Sequence, residues 1–169
     1  IKNINVAKME FETDLDTFKA DAATVIPAQK AGAIAMSAGV NKGDWCPIVP
    51  SSMQSKADEN IYVLGDASVA KSMPKSGFSA NSQAKVAANH IRGALTGSKV
   101  FPARYSNTCW SMVATDHGIK VGASYKSGTE KIEKTSGFVS KKGESSEIRK
   151  ATFEESIGWY SGITSDMFS

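Results

Sequence analysis

A short apolar run that stops on Gly-Asp leaves few options for the backbone around it. Ile61 to Leu64 (IYVL) fits a buried parallel strand, and Gly65-Asp66-Ala67 follows at once. The loop KSMPKSGFSANSQ then places Pro74, Ser76 and Gly77 just before an expected helix from Ser79 to Leu95. Ala80, Ala84, Ala87, Ile91, Ala94 and Leu95 recur at helical period, and Gly97 stands where a left-handed C-terminal residue belongs. A face of alanines lets a helix sit close against a sheet or a cofactor. Strand, Gly-Asp turn and helix in this order predict an α/β unit with its ligand at the carboxyl end of the strand.

The flanks extend this reading. Asn3 to Glu12 alternates, which predicts a strand; Asp14 to Asp16 supply a turn and Thr17 to Ala20 a return strand. Ala22 to Ile26 (AATVI), closed by Pro27, fits a second buried parallel strand, and Ala28 to Ala38 a helix ending at Gly39. Asn41 to Glu59 reads as a connection packed through Trp45 and Ile48. Composition shifts after Pro102. Trp110–Thr115 and Ile119–Tyr125 predict a hairpin turning at His117-Gly118, with further strand within Lys131–Val139. Ser140 to Ser146 is a polar loop and Ile148 to Trp159 a closing helix weakened at Gly158.

Several function classes are disfavoured. Positive and negative side chains are interspersed at a formal net charge of +3, with no basic cluster long enough for a nucleic-acid track. No apolar run approaches the roughly 18 residues of a membrane span. Two cysteines, Cys46 and Cys109, do not make a disulfide scaffold, and His90 and His117 stand outside any zinc-like spacing. With 41% apolar and 22% charged residues the composition is that of a globular chain. The first residues, IKNINVAKMEFETD, have no apolar signal-peptide core and read as the middle of a strand, so the start is taken as a truncation.

Gly65 permits close backbone approach, and the Asp66 carboxylate can accept hydrogen bonds from ribose or ribityl hydroxyls; it repels phosphate. A helix opening near Ser76, Gly77, Phe78, Ser79 and Asn81 presents free N–H groups and partial positive charge. That end suits the pyrimidine edge of a flavin, where negative charge develops on reduction. Ser79 and Asn81 also serve as plain helix caps, and Gly-Asp as a plain turn. Lys30 and Lys75 are either charges near the ligand or solvated lysines.

IYVLGDAS followed by MPKSGFSANSQAKVAANHI resembles the second FAD-binding motif of flavoproteins with two dinucleotide-binding domains. More closely, the chain resembles the flavoprotein subunit of flavocytochrome c sulfide dehydrogenase. VIPAQKAG, GDWCPIVP, YSNTCWSMVA and GWYSGITSDMF support the match, and Lys131 to Arg149 departs most from it. The resemblance implies FAD as cofactor, sulfide as substrate, a c-type cytochrome as electron acceptor and a periplasmic location. It implies an α/β fold: part of the two dinucleotide-binding domains over residues 1–103, then a small α+β flavin-binding domain over 104–169. It implies that Cys109 is one half of a redox disulfide beside the flavin, with its partner outside this chain, and that Trp159 lies near the ring. Core packing is the other reading of Trp159. From the residues alone Cys109 reads first as a small buried hydrophobe and second as a reactive thiol, and Cys46 is either inert or paired with Cys109. No G-x-G occurs, so the pyrophosphate cradle is absent from this sequence. A sulfide:quinone reductase is the rival enzyme, but the tail EESIGWYSGITSDMFS is short and weakly amphipathic for a membrane surface. A non-catalytic sulfur-carrier or interaction module is the rival from another class.

Overall fold

A computed structural model describes residues 1–168, which divide into a unit spanning Ile1–Lys30 and a second unit from Ala31 onward. The first unit is an antiparallel meander of β1 (Asn3–Asn5), β2 (Glu10–Glu12) and β3 (Thr17–Lys19). The alternation from Asn3 to Glu12 is therefore interrupted. The Asn5 side chain captures the amide of Lys8 at 3.1 Å, and Met9 adopts φ 54°, folding Val6–Lys8 into a 3-10 turn. Asx-type local bonding has overridden period-2 propensity. Ala22–Ile26 is not a strand, and Ile26 is 79% exposed. An apolar β-branched run becomes a strand only beside a ladder partner, and no described strand lies next to it.

The second unit begins with α1 (Ala33–Ser37), shorter than the helix expected over Ala28 to Ala38. Gly39 follows with φ 67° and ends it as expected. Irregular chain then carries Ile48 and Met53 into the core, and Cys46 into a second cluster with Ala31, Ala35 and Val40. Ile61–Leu64 is likewise not a strand. Its backbone is satisfied locally: the Val63 amide donates to Met53 O at 3.0 Å and the Ser55 amide to Ile61 O at 2.7 Å. The one parallel pairing among described residues is an isolated Cys46–Ser68 bridge. Among the described residues both sheets are antiparallel and three-stranded, and with the three α-helices they make a small α/β protein in which the parallel strands expected at Ala22–Ile26 and Ile61–Leu64 do not form.

α2 (Gly77–Thr96) matches its expected span closely, with Gly97 at φ 67° just beyond it. Its buried face differs from the alanine stripe. Ser79, Gln83, Val86 and Ala87 point inward, whereas Leu95 is 81% exposed. β4 (Arg104–Ala114), β5 (His117–Ser127) and β6 (Ile132–Val139) form the second sheet in sequential order. The turn lies at residues 115–116, so His117 and Gly118 belong to β5 instead of the turn. α3 (Ser146–Phe168) runs past both expected ends of its helix, and it continues through Gly158 and Gly162 because each glycine costs a long helix only about 1 kcal/mol. α3 lies against β5. A Cβ on Gly118 would stand 2.8 Å from the backbone nitrogen of Phe153, so the missing side chain is what admits the helix.

Candidate functional site

The Gly65–Ala67 segment folds as a single 3-10 turn, with Gly65 at φ 67°, a backbone region that glycine adopts without strain. Its amide donates to Gln83 Oε1 at 2.7 Å, and Ser68 Oγ donates to Gly65 O at 2.8 Å. Gln83 is almost wholly buried and sits four residues after Ser79, on the same helix face. Lys75 closes the turn from outside. Its ammonium donates to the carbonyl of Asp66, lies 3.3 Å from Ser68 O, and sits 3.7 Å from the Trp45 ring centroid. Burial lowers the Lys75 pKa, against the opposing pull of Asp66 and then Cys46. Lys75 is thus a built-in brace for the turn, while Lys30 is exposed in the first unit. Asp66 keeps its side chain exposed. Trp45, Gly65, Lys75, Ser79 and Gln83 help line a cavity of about 220 Å³.

The start of α2 is capped by Ser76, whose Oγ accepts from the Ser79 amide at 3.1 Å. Neither Ser79 nor Asn81 is the cap. The Gly77 and Phe78 amides, in the first turn, have no partner within the helix. Ser76 and Ser79 both donate to Asn107 Oδ1 on β4, at 2.5 Å and 3.1 Å. Asn107 in turn donates from Nδ2 to Cys109 Sγ at 3.5 Å. One buried amide therefore links the helix start to the half-buried cysteine. No sequence motif marks Asn107, although it stands two positions before Cys109 and so on the same face of the strand.

Strand alternation sets Trp110 on the opposite face from Cys109. There Trp159 of α3 stacks on Phe78, with centroids 5.6 Å apart and planes 8° from parallel. Trp110 lies 5.5 Å from Trp159 and 6.1 Å from Phe78. Trp159 thus packs in an aromatic cluster at the helix start, and Asn81 lines a groove of about 320 Å³ beside it. Cys46 and Cys109 are both free. Cys46 is fully buried, and burial pushes its thiol pKa up against the opposing effect of Lys75, the setting of an unreactive thiol.

Only part of a flavin dinucleotide finds partners here. The Gly65 turn, the Asp66 carboxylate and the first α2 amides fit hydroxyls and an electron-rich ring edge. No glycine-rich phosphate cradle is present in the sequence. Among described residues no cluster of metal-ligating side chains occurs, and no helix is long and apolar enough to cross a membrane. Residues 101–168, which include β4 to β6 and α3, match the family model described as flavocytochrome c sulphide dehydrogenase, flavin-binding.

Proposed function

We propose, from the match of residues 101–168 to the flavin-binding model of flavocytochrome c sulphide dehydrogenase, that this chain serves FAD-dependent sulfide oxidation, passing electrons to a c-type cytochrome in the periplasm. On this reading, residues 1–103 complete dinucleotide-binding domains and 104–169 cover the flavin. The observation that carries it is the hydrogen-bonded chain from the α2 start through Asn107 to Cys109, which puts a thiol beside a positive helix end. FAD, when bound, supplies a two-electron acceptor.

The chain's residues divide the work. Asp66 accepts from sugar hydroxyls. The α2 start holds partial positive charge where negative charge accumulates on reduction. Asn107 fixes the Cys109 rotamer by donating to its sulfur. Cys109 pairs with a cysteine outside this chain; hydrosulfide attack breaks that S–S bond, leaving a persulfide on one sulfur and a thiolate on the other. A second hydrosulfide attacking the outer persulfide sulfur would carry it off as hydrogen disulfide and leave two thiolates, and their re-oxidation to the disulfide is the two-electron chemistry that bound FAD would supply. Phe78, Trp110 and Trp159 shield the helix start from water.

The test is the visible spectrum of the flavoprotein carrying this chain, with and without sulfide. The flavin band should bleach with sulfide and recover when oxidised cytochrome c is added. A colourless protein, or a band that only a quinone restores, overturns the reading. Cys109→Ser should retain the flavin band and lose bleaching by sulfide; unchanged bleaching refutes the disulfide role.

A further inference from the structure

Asn107 presents a donor, not an acceptor, to the sulfur of Cys109. Its Nδ2 lies 3.5 Å from Sγ, while its Oδ1 accepts from Ser76 at 2.5 Å and from Ser79 at 3.1 Å. The serines fix this orientation of the amide. Ser76 Oγ already accepts from the Ser79 amide at 3.1 Å, so its own proton turns toward Asn107. Reversing the amide would turn an N–H on a hydroxyl proton and a carbonyl oxygen on sulfur. Asn107 is 4% and Ser79 1% exposed, so water does not stand in for either partner.

An N–H aimed at sulfur discriminates between the sulfur's states. A hydrogen bond to a charged acceptor is about twice as strong as one to a neutral acceptor. A disulfide sulfur is a weak neutral acceptor, and a thiolate is a charged one. Two hydroxyls donating to Oδ1 polarise the amide and strengthen the bond its other end gives. The start of α2, where both serines sit, adds partial positive charge. Each of these effects grows as negative charge gathers on Cys109 Sγ.

We infer that Asn107 selects which sulfur of the Cys109 disulfide leaves, an inference that rests on the reading of Cys109 as one half of a redox disulfide. Hydrosulfide attacks the other sulfur of that bond. A new S–S bond forms between hydrosulfide and that sulfur, the bond to Cys109 breaks, and the electron pair departs on Cys109 Sγ. The proton of hydrosulfide stays on the persulfide so formed. Sulfur is loaded on the cysteine outside this chain, and Cys109 becomes the thiolate held by Asn107. Attack on Cys109 itself would load the sulfur here and put the charge on the sulfur that Asn107 does not touch.

The chain itself, with half-buried Cys109 joined to glutathione in a mixed disulfide, poses the same choice to sodium hydrosulfide without flavin or partner cysteine. Cys46 is fully buried and stays out of the reaction. Rapid alkylation and mass spectrometry distinguish Cys109 as a bare thiol, where glutathione took the sulfur, from Cys109 as a persulfide, where glutathione left. Bare thiol should predominate in wild type, and Asn107→Ala should lower the ratio of thiol to persulfide by about tenfold. Ser79→Ala disturbs the same buried network but keeps the donor, so it should move the ratio by less than about twofold. Access to the glutathione sulfur is common to all three proteins, so the difference between them reports on Asn107. Persulfide predominating in wild type, a ratio unchanged in Asn107→Ala, or one moved equally by Ser79→Ala overturns the inference. Circular dichroism checks that each variant is folded. Bleaching of the flavin by sulfide with an unchanged ratio sinks the leaving-group role alone; a lowered ratio without bleaching sinks the sulfide dehydrogenase reading and leaves that role standing.

Discussion

Asn107 does more at this site than any residue singled out from the sequence except Cys109. It is 4% exposed, it accepts from two serines and it donates to a sulfur. Removing it strands the buried Ser79 hydroxyl, and an unsatisfied buried donor costs about 1–3 kcal/mol. Asn107→Ala should therefore lower stability by that amount in urea denaturation; a change under about 0.5 kcal/mol would show the network to be dispensable. The site was half legible in the sequence. The tight turn at Gly65 and the opening of α2 are legible because a glycine at positive φ and a helix start are marked by adjacent residues. Asn107 and Gln83 are not, because a buried amide is recognised by its partners, and those partners lie 31 and 18 residues away. Trp159 was an even choice between ring contact and packing, and the structure places it in the aromatic cluster with Phe78 and Trp110.

Among the elements, α2 was the most legible because its signals are local, helical spacing and a terminal glycine, although its cap is Ser76 in place of Ser79 or Asn81. Ile61–Leu64 and Ala22–Ile26 were misread because strand identity is not local. The same apolar run is a strand beside a ladder partner and extended coil without one. Gly118 shows the same limit in a single residue. Next to His117 it reads as a turn glycine, yet it pairs with Met112 inside the hairpin and marks the crossing of α3. A Cβ there would lie 2.8 to 3.1 Å from backbone atoms of Thr152 and Phe153, none of which can swing aside. Gly118→Ala should therefore push α3 off β5 and cost about 1–3 kcal/mol, the usual penalty of overpacking. Thermal unfolding would read this as a lowered Tm with loss of near-ultraviolet signal from Trp159. An unchanged Tm would mean that the helix is not seated as described.

For the molecule as a whole, the second unit's core is closed by a long-range tie. Tyr105 on β4 donates its hydroxyl to Pro50 O at 2.5 Å, joining the second sheet to the irregular segment before α2. Burial drives the Tyr105 pKa well above its ordinary value, so the fold favours the protonated phenol. The sign of the pH dependence follows. Tyr105 contributes fully below the unfolded-state pKa of about 10, and its contribution is lost as pH rises from there toward the folded value. Tyr125 pulls the same way, through burial and then the neighbouring Cys109. Lys75 pulls the other way: its folded pKa is lowered, so the penalty on its charged form is relieved as pH rises toward its unfolded value. Both are present in wild type and in Tyr105→Phe, and they cancel in the difference. At neutral pH that difference should be about 1–3 kcal/mol, since Pro50 O loses its donor. It should shrink as pH climbs above about 10, because only wild type has a buried phenol to ionise. Chemical denaturation of both proteins at a series of pH values reads this directly. A gap that stays constant into the alkaline range would mean that Tyr105 is not closed off from solvent, and that the tie between the sheet and the Pro50 segment opens before the rest of the fold.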